Sequence, residues 1–464
     1  MPDKASTVGE LRASGYKPLT VREEIRNNLI SKIQAGEDLF PGIIGFSDSV
    51  IPQLENAILA GQDIILLGER GQAKSRLIRH MVSLLDEEIP VIAECELNCE
   101  PFDPICYQCK ARIARDGDAT KISWLHRDER YSEKLATPDI TVADLIGEVD
   151  PIKVAEGRYL SDELTIHYGL IPRTNRGIFC INELPDLSER IQVSLFNLMQ
   201  ERDIQIKGYR IMLPLDVFLV STANPEDYTN RGRIITPLKD RYGAQIRTHY
   251  PRSLDDEIGI VEQEYAHFDD TGSRVSVPQY MREIIAEFTA LARRSPDINQ
   301  RSGVSLRVSI ANYETMLSAA FKRSLRHNEP ASPRVSDLPA LVASTTGKIE
   351  MESVEEGREF RVIEDLVKKA VLNTFGRYYQ PRQFADLTDL FEEGLTIECG
   401  SDKSSADYLS GYAGMGEAAE LIKEIEQSEE EAAIASAVEF ILEGLHLNRR
   451  LNCDRVGGQH IYSG

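Results

Sequence analysis

The chain lacks any apolar stretch of the roughly 20 residues needed to cross a bilayer, and Met1 to Ser6 hold no apolar core of the kind a secretion signal carries. A cytoplasmic protein is expected. Positive charge is also in short supply: 53 Lys and Arg stand against 75 Asp and Glu, for a net charge of −22. That balance weighs against a protein that works by neutralising phosphate backbones, although a local basic patch remains compatible with it. Seven cysteines in 464 residues are too few for a disulfide framework, so the thiols are read as reduced or metal-bound. A chain of this length predicts two to four domains with sizeable cores.

What is present centres on Gly68-Glu69-Arg70-Gly71-Gln72-Ala73-Lys74-Ser75, preceded by the apolar run Ile64 to Leu67 and followed by a helical pattern from Arg76. A short β-branched run of this kind predicts a parallel strand buried on both faces. Gly68 and Gly71 allow the backbone to turn its N–H groups toward phosphate oxygens. Lys74 would reach the β- and γ-phosphates of ATP, Ser75 would hold Mg²⁺, and the helix N-terminus would face the anion. Ala73 stands where glycine is usual, and its methyl group is expected to be tolerated at negative φ.

A second buried strand, Gly177 to Asn182, ends at Glu183, where an α/β sheet places chemistry. Glu183 is assigned to polarising the attacking water, and Asn182 to Mg²⁺, more weakly than the usual aspartate would bind it. A third strand, Val217 to Ala223, delivers Asn224 beside Glu183, with an amide suited to orienting water or meeting the γ-phosphate. Arg241, on a turn after a helix, is a candidate finger for transferring charge, with a surface salt bridge to Asp240 as the alternative.

Between Lys74 and Glu183 lie far more residues than the ~30 of a βαβ unit, so insertions are expected near 95–176. The first contains Cys95, Cys99, Cys106 and Cys109 in the spacing C-x3-C-x6-C-x2-C. Four thiolates can close a tetrahedral Zn²⁺ site, though the six-residue gap is short and ordinary packing is the competing reading.

These motifs, in this order, resemble AAA+ ATPases of the group containing magnesium chelatase ATPase subunits and MoxR-type chaperones. The resemblance spans residues 40–350, and the Ala before Lys74 looks like the MoxR type. It implies an α/β P-loop core with a parallel sheet at 41–250 after an N-terminal helical segment at 1–40. A helical lid at 251–350 and an acidic α-helical region at 351–464 would follow. Gly68 to Arg76 becomes the Walker A region, Asn182 and Glu183 Walker B, Asn224 the sensor and Arg241 the finger. Arg307 becomes the second sensor, with Arg301 competing. Residues 140–176 and 204–213 look like the hairpin insertions of the group.

The implied activity is ATP hydrolysis by a ring, hexameric in the family pattern, that remodels or activates a partner containing a von Willebrand factor A domain. Insertion of Mg²⁺ into a porphyrin is the less favoured outcome. Two other classes share parts of the pattern. Minichromosome maintenance helicases also show Ala-Lys-Ser and Ala-Asn-Pro, but no interleaved basic and aromatic stretch appears here. An AAA+ transcriptional regulator would be expected to carry Gly-Ala-Phe-Thr-Gly-Ala and a terminal helix-turn-helix. Neither is seen in the sequence. The segment Val438 to Leu451 reads as amphipathic helix and then meets Gly457-Gly458 in a flexible tail.

Overall fold

The computed structural model describes residues 4–149, 165–205, 212–224, 232–267, 275–352, 357–412, 430–456 and 459–464. The chain divides into two compact units, Met1–His249 and Tyr250–Gly464.

In the first unit, helices α1 (Val8–Ala13), α2 (Val21–Ala35) and α3 (Val50–Leu59) precede strand β1 (Ile64–Leu67) and helix α4 (Lys74–His80). Next come β2 (Glu88–Ile92), α5 (Tyr107–Asp116), β3 (Ile122–His126), β4 (Tyr131–Leu135), α6 (Val142–Leu145), β5 (Gly147–Val149), β6 (Ile166–Tyr168) and α7 (Leu170–Arg173). The unit ends with β7 (Gly177–Asn182), α8 (Glu189–Gln200), β8 (Asp203–Gln205), β9 (Met212–Pro214), β10 (Val217–Ala223), α9 (Thr236–Arg241) and β11 (Ala244–Arg247).

The main sheet has the order β11-β1-β10-β7-β4, and its pairings are parallel. Every residue of β1, β7 and β10 is buried, because successive side chains enter different cores. Ile65, Leu67, Phe179, Ile181 and Leu219 join one cluster with α8. Ile64, Leu66, Ile178, Cys180 and Val220 join another with α2 and α3. Continuous apolar runs are what a sheet covered on both faces demands. The register pairs Leu67 with Ala223 and Ile181 with Ser221. The chain therefore leaves β1, β10 and β7 at one end of the sheet, delivering Gly68, Asn224 and Glu183 there.

Helix α2 starts at a capping box between Thr20 and Glu23 and stops at Gly36, whose φ of 68° suits a residue without Cβ. Its Glu24 receives both terminal nitrogens of the buried Arg130, at 2.7 and 2.6 Å. The bases of two antiparallel hairpins are seen, β5 with β6 and β8 with β9. The Glu156–Tyr159 turn and the Lys207-Gly208 turn lie outside the described residues.

The second unit contains α10 (Leu254–Glu264), α11 (Gln279–Ala292), α12 (Leu306–His327), α13 (Leu341–Thr345), α14 (Arg358–Tyr378), α15 (Ala385–Glu392), α16 (Ser405–Tyr412) and α17 (Glu431–Leu447). Helix α17 is buried from Ala432 to Leu445. The tail is not loose: β13 (Asn452–Val456) and β14 (Gln459–Ser463) pair antiparallel, and β14 also pairs with β12 (Ile397–Gly400). The Tyr462 hydroxyl donates to Glu443 of α17 at 2.5 Å, which fastens the sheet to the helix.

Candidate nucleotide-binding and catalytic site

The loop from Gly68 to Ala73 carries no regular structure and α4 opens at Lys74. A Cβ at Gly68 would collide with Thr248 Oγ1 and Gln72 Oε1, so a side chain there would force Thr248 and Gln72 to move. Glu69 N–H donates to Gln72 Oε1 at 3.1 Å, and Thr248 Oγ1 donates to the same oxygen at 2.7 Å. A cavity of about 350 Å³ lies beside this loop, lined by Leu67, Glu69, Lys239 and Arg247 among others. Gly71 has φ 76°, as a glycine can. Ala73 corrects the expectation of negative φ: it sits at φ 53°, ψ 15°, in the left-handed region. An L-residue with a Cβ pays about 1–2 kcal/mol for that conformation, and the turn into α4 imposes it.

Lys74 is 8% exposed. Its Nζ donates to the Glu69 carbonyl at 2.9 Å, to Asn224 Oδ1 at 2.7 Å, and to the Gly68 carbonyl. Asn224 Nδ2 in turn donates to Glu183 Oε2 at 2.7 Å. The amide is thus used at both ends, its oxygen on the cation and its nitrogen on the carboxylate. Glu183 lies one residue beyond β7 with φ 56°, and its N–H is held by Thr222 Oγ1 at 3.0 Å. Strained backbone at such a position is common where a side chain must be aimed. A lysine, an amide and a carboxylate from three separate strand ends are therefore linked through hydrogen bonds.

Asn182 has its own partners. Its Oδ1 accepts from Thr222 Oγ1 at 3.3 Å and from the Cys180 thiol at 3.4 Å, while its Nδ2 donates to Glu133. Burial pushes the Cys180 thiol up to about 12, so it stays a donor. Glu133, on β4, also takes Arg79 Nη2 at 3.1 Å and the Tyr131 hydroxyl at 2.9 Å. Its hydrogen bond holds the Arg79 guanidinium above the ordinary arginine value, and burial raises the Tyr131 phenol. The sequence offered no sign of Glu133, which reaches Asn182 only because β4 lies parallel to β7.

The chain resembles known proteins in sequence. Magnesium-chelatase subunit ChlI of Nephroselmis olivacea is 26% identical over 343 residues, which is 70% of this chain and 88% of that protein. The chain is an AAA+ ATPase similar in sequence to magnesium chelatase ATPase subunits. The ChlI homolog of Methanocaldococcus jannaschii is 27% identical to this AAA+ ATPase over 204 residues, 43% of this chain and 51% of its own length. No family model matches. Among solved structures, one chain of a complex between subunits BchI and BchD of magnesium chelatase, built from a cryo-EM reconstruction, overlaps 71% of this chain and 98% of its own length at 17% identity, with a TM-score of 0.36.

Among the other anticipated residues of the AAA+ ATPase, Arg241 is held elsewhere in the first unit. Arg241 ends α9, where its guanidinium stacks 4.4 Å from the Phe196 ring. It donates to the Pro237 carbonyl at 2.7 Å and to Gln200 Oε1 at 2.9 Å, and the alternative reading, a surface salt bridge to Asp240, is not what holds it. Arg233 is exposed, 3.7 Å from Glu189, and Arg231 lies outside the described residues. Arg307 and Arg301 belong to the second unit, and both are exposed. Arg307 is the second residue of α12, an end of a helix where positive charge gains nothing from the backbone dipole. Arg70 is exposed on the phosphate-side loop, and Ser75 and Arg76 occupy the first turn of α4. Among the described residues no helix is long and apolar enough to cross a membrane. Cys95, Cys99, Cys106 and Cys109 converge: their sulfurs all lie within 4.8 Å of one another.

Proposed function

We propose that this ATPase binds ATP between Gly68 and Arg76, assembles into a ring, and uses hydrolysis to remodel or activate a partner protein. The observation that carries the reading is the hydrogen-bonded series Lys74–Asn224–Glu183. It joins the anion-binding cation to the group that would receive a proton from water, so the state of the phosphate site can reach the catalytic carboxylate through one amide.

The cradle fits a nucleotide phosphate, since Gly68 has no room for a side chain and Lys74 is a buried cation held by neutral oxygens of Glu69 and Asn224. Ser75 and Asn182 would hold Mg²⁺, which when bound draws negative charge from the phosphates. A hard cation prefers carboxylate oxygen, and the carboxylate touching Asn182 is that of Glu133. Glu133 therefore supplies the charge that Asn182 lacks. Glu183 takes the proton of the attacking water, and Asn224 keeps its carboxylate aimed. Arg241 acts on the site of a neighbouring subunit, and Arg307 keeps the second-sensor role that the family resemblance implies. Kinship with magnesium chelatase ATPase subunits supports a partner with a von Willebrand factor A domain.

Lys74→Ala is expected to lose ATP binding by a factor of 100 or more, about 2.7 kcal/mol or above, because a tetra-anion loses a charge-assisted partner. Calorimetry measures the affinity, and sedimentation with and without ATP reads ring assembly, which should fail with it. An unchanged affinity would remove the loop from the nucleotide site. Glu133→Gln should raise the Mg²⁺ concentration giving half-maximal ATPase by about tenfold, the scale of an outer partner to a metal ligand. An unaltered Mg²⁺ dependence would leave Glu133 as a structural partner of Arg79, Tyr131 and Asn182.

A further inference from the structure

The loop at residues 93–106 joins β2 to α5 with little regular structure, a length at which a loop needs an anchor of its own. It contains three of the four converging cysteines, and the fourth, Cys109, lies in the first turn of α5. Cys99, Cys106 and Cys109 are buried and Cys95 is half-buried. A tetrahedral zinc with Zn–S near 2.3 Å places its sulfurs about 3.8 Å apart. Cys95 and Cys106 are already 3.9 Å apart, and the widest separation in the set, at most 4.8 Å, needs a contraction of about 1 Å. No pair of these sulfurs is bonded as a disulfide.

Two backbone N–H groups point at the sulfurs. Leu97 N–H donates to Cys95 Sγ at 3.4 Å and Cys109 N–H to Cys106 Sγ at 3.3 Å, the latter sulfur capping α5. Such bonds turn a loop around a thiolate, and partners of this kind orient metal ligands. Packing alone gives no reason for four small side chains to aim at one point, since a free buried cysteine behaves as a small apolar residue. The loop is tied to the chain entering β7: Asn98 Nδ2 donates to the Arg173 carbonyl at 3.1 Å, and Asn175 Nδ2 to the Leu97 carbonyl at 2.9 Å.

We propose that Cys95, Cys99, Cys106 and Cys109 bind one structural Zn²⁺, which pins the 93–106 loop against the segment that leads into β7. The ion closes the tetrahedron with no open position, so it holds structure and does no chemistry.

Full-length protein purified without chelator should contain about one zinc per chain by mass spectrometry and no iron. Expression with Co²⁺ should give the visible absorption of a tetrahedral tetrathiolate. Cys106→Ser should lose the metal and melt about 10 °C or more below the parent. Because a ligand variant can fail to fold, the metal content and cobalt spectrum of the unaltered protein decide the matter by themselves. Metal-free protein, a disulfide among the four cysteines, or an iron cluster in place of zinc would each overturn the assignment. Glu443, Cys453 and His460 form the other grouping able to hold an ion among the described residues. Cys453→Ser should keep its zinc, and loss of the metal there would place the ion in the second unit instead.

Discussion

Glu183→Gln should bind ATP within a few-fold of the parent and hydrolyse it at least 100-fold more slowly. The substitution keeps the length and shape of the side chain. It also leaves an oxygen to accept from Asn224 Nδ2, now 2.7 Å from Glu183 Oε2. What it removes is the capacity to take a proton, and positioned acid–base groups contribute about 10²–10⁴ in rate. The cradle around Lys74 is untouched, so affinity should survive and the ring should accumulate in its ATP-bound form. Single-turnover phosphate release, run beside calorimetry, separates the two effects. Turnover at the parental rate would move the proton-accepting role to another carboxylate, with Glu133 the first to test. A loss of binding equal to the loss of rate would make Glu183 a structural support of the loop.

The strands that bear this trio were legible because burial on both faces leaves an apolar run with a polar residue at its end. Ile64 to Leu67, Gly177 to Asn182 and Val217 to Ala223 all follow that pattern. Strand β4 did not show itself, since Tyr131-Ser132-Glu133-Lys134-Leu135 lies at the edge of the sheet and is partly exposed along its length. Its pairing with β7 joins residues about 50 positions apart, and pattern within a window carries no information about such a partner. Glu133 was hidden for that reason. The carboxyl-terminal sheet escaped in the same way. Strand β12 sits in a glycine- and serine-rich stretch, while its partner β14 follows Gly457-Gly458, and the antiparallel register that unites them is non-local. Ala73 shows the opposite limit. The motif predicted a turn between a buried strand and a helix, but the sign of φ at one residue depends on how the turn meets α4, which residue type does not reveal. For the cysteines, spacing alone left zinc and packing both open, and convergence of the four sulfurs became visible only in three dimensions.

Arg241→Ala should be almost inactive although its own phosphate loop is intact, and activity should return when it is mixed with Glu183→Gln. The prediction follows from where the guanidinium is held. It is stacked on Phe196 and bonded to Gln200 and the Pro237 carbonyl, a mounting on α8 and α9 that fixes it as part of a surface rather than bonding it into the Lys74–Asn224–Glu183 series. A finger offered to a neighbour needs such a mounting, because a floppy arginine would lose its ordering entropy at every turnover. Fingers supplied in trans are worth about 10³–10⁵ in rate, so each single variant should be nearly silent. In a mixed ring, some intact loops of Arg241→Ala subunits meet intact arginines of Glu183→Gln subunits, and those sites contain every required group. The measurement is ATPase rate against mixing ratio, with subunit exchange shown independently by fluorescence transfer. A rise that peaks at intermediate ratios supports action between subunits. A mixture that exchanges yet stays silent would refute complementation through Arg241, and the same experiment with Arg233→Ala and Arg231→Ala would then show whether either of those supplies the charge.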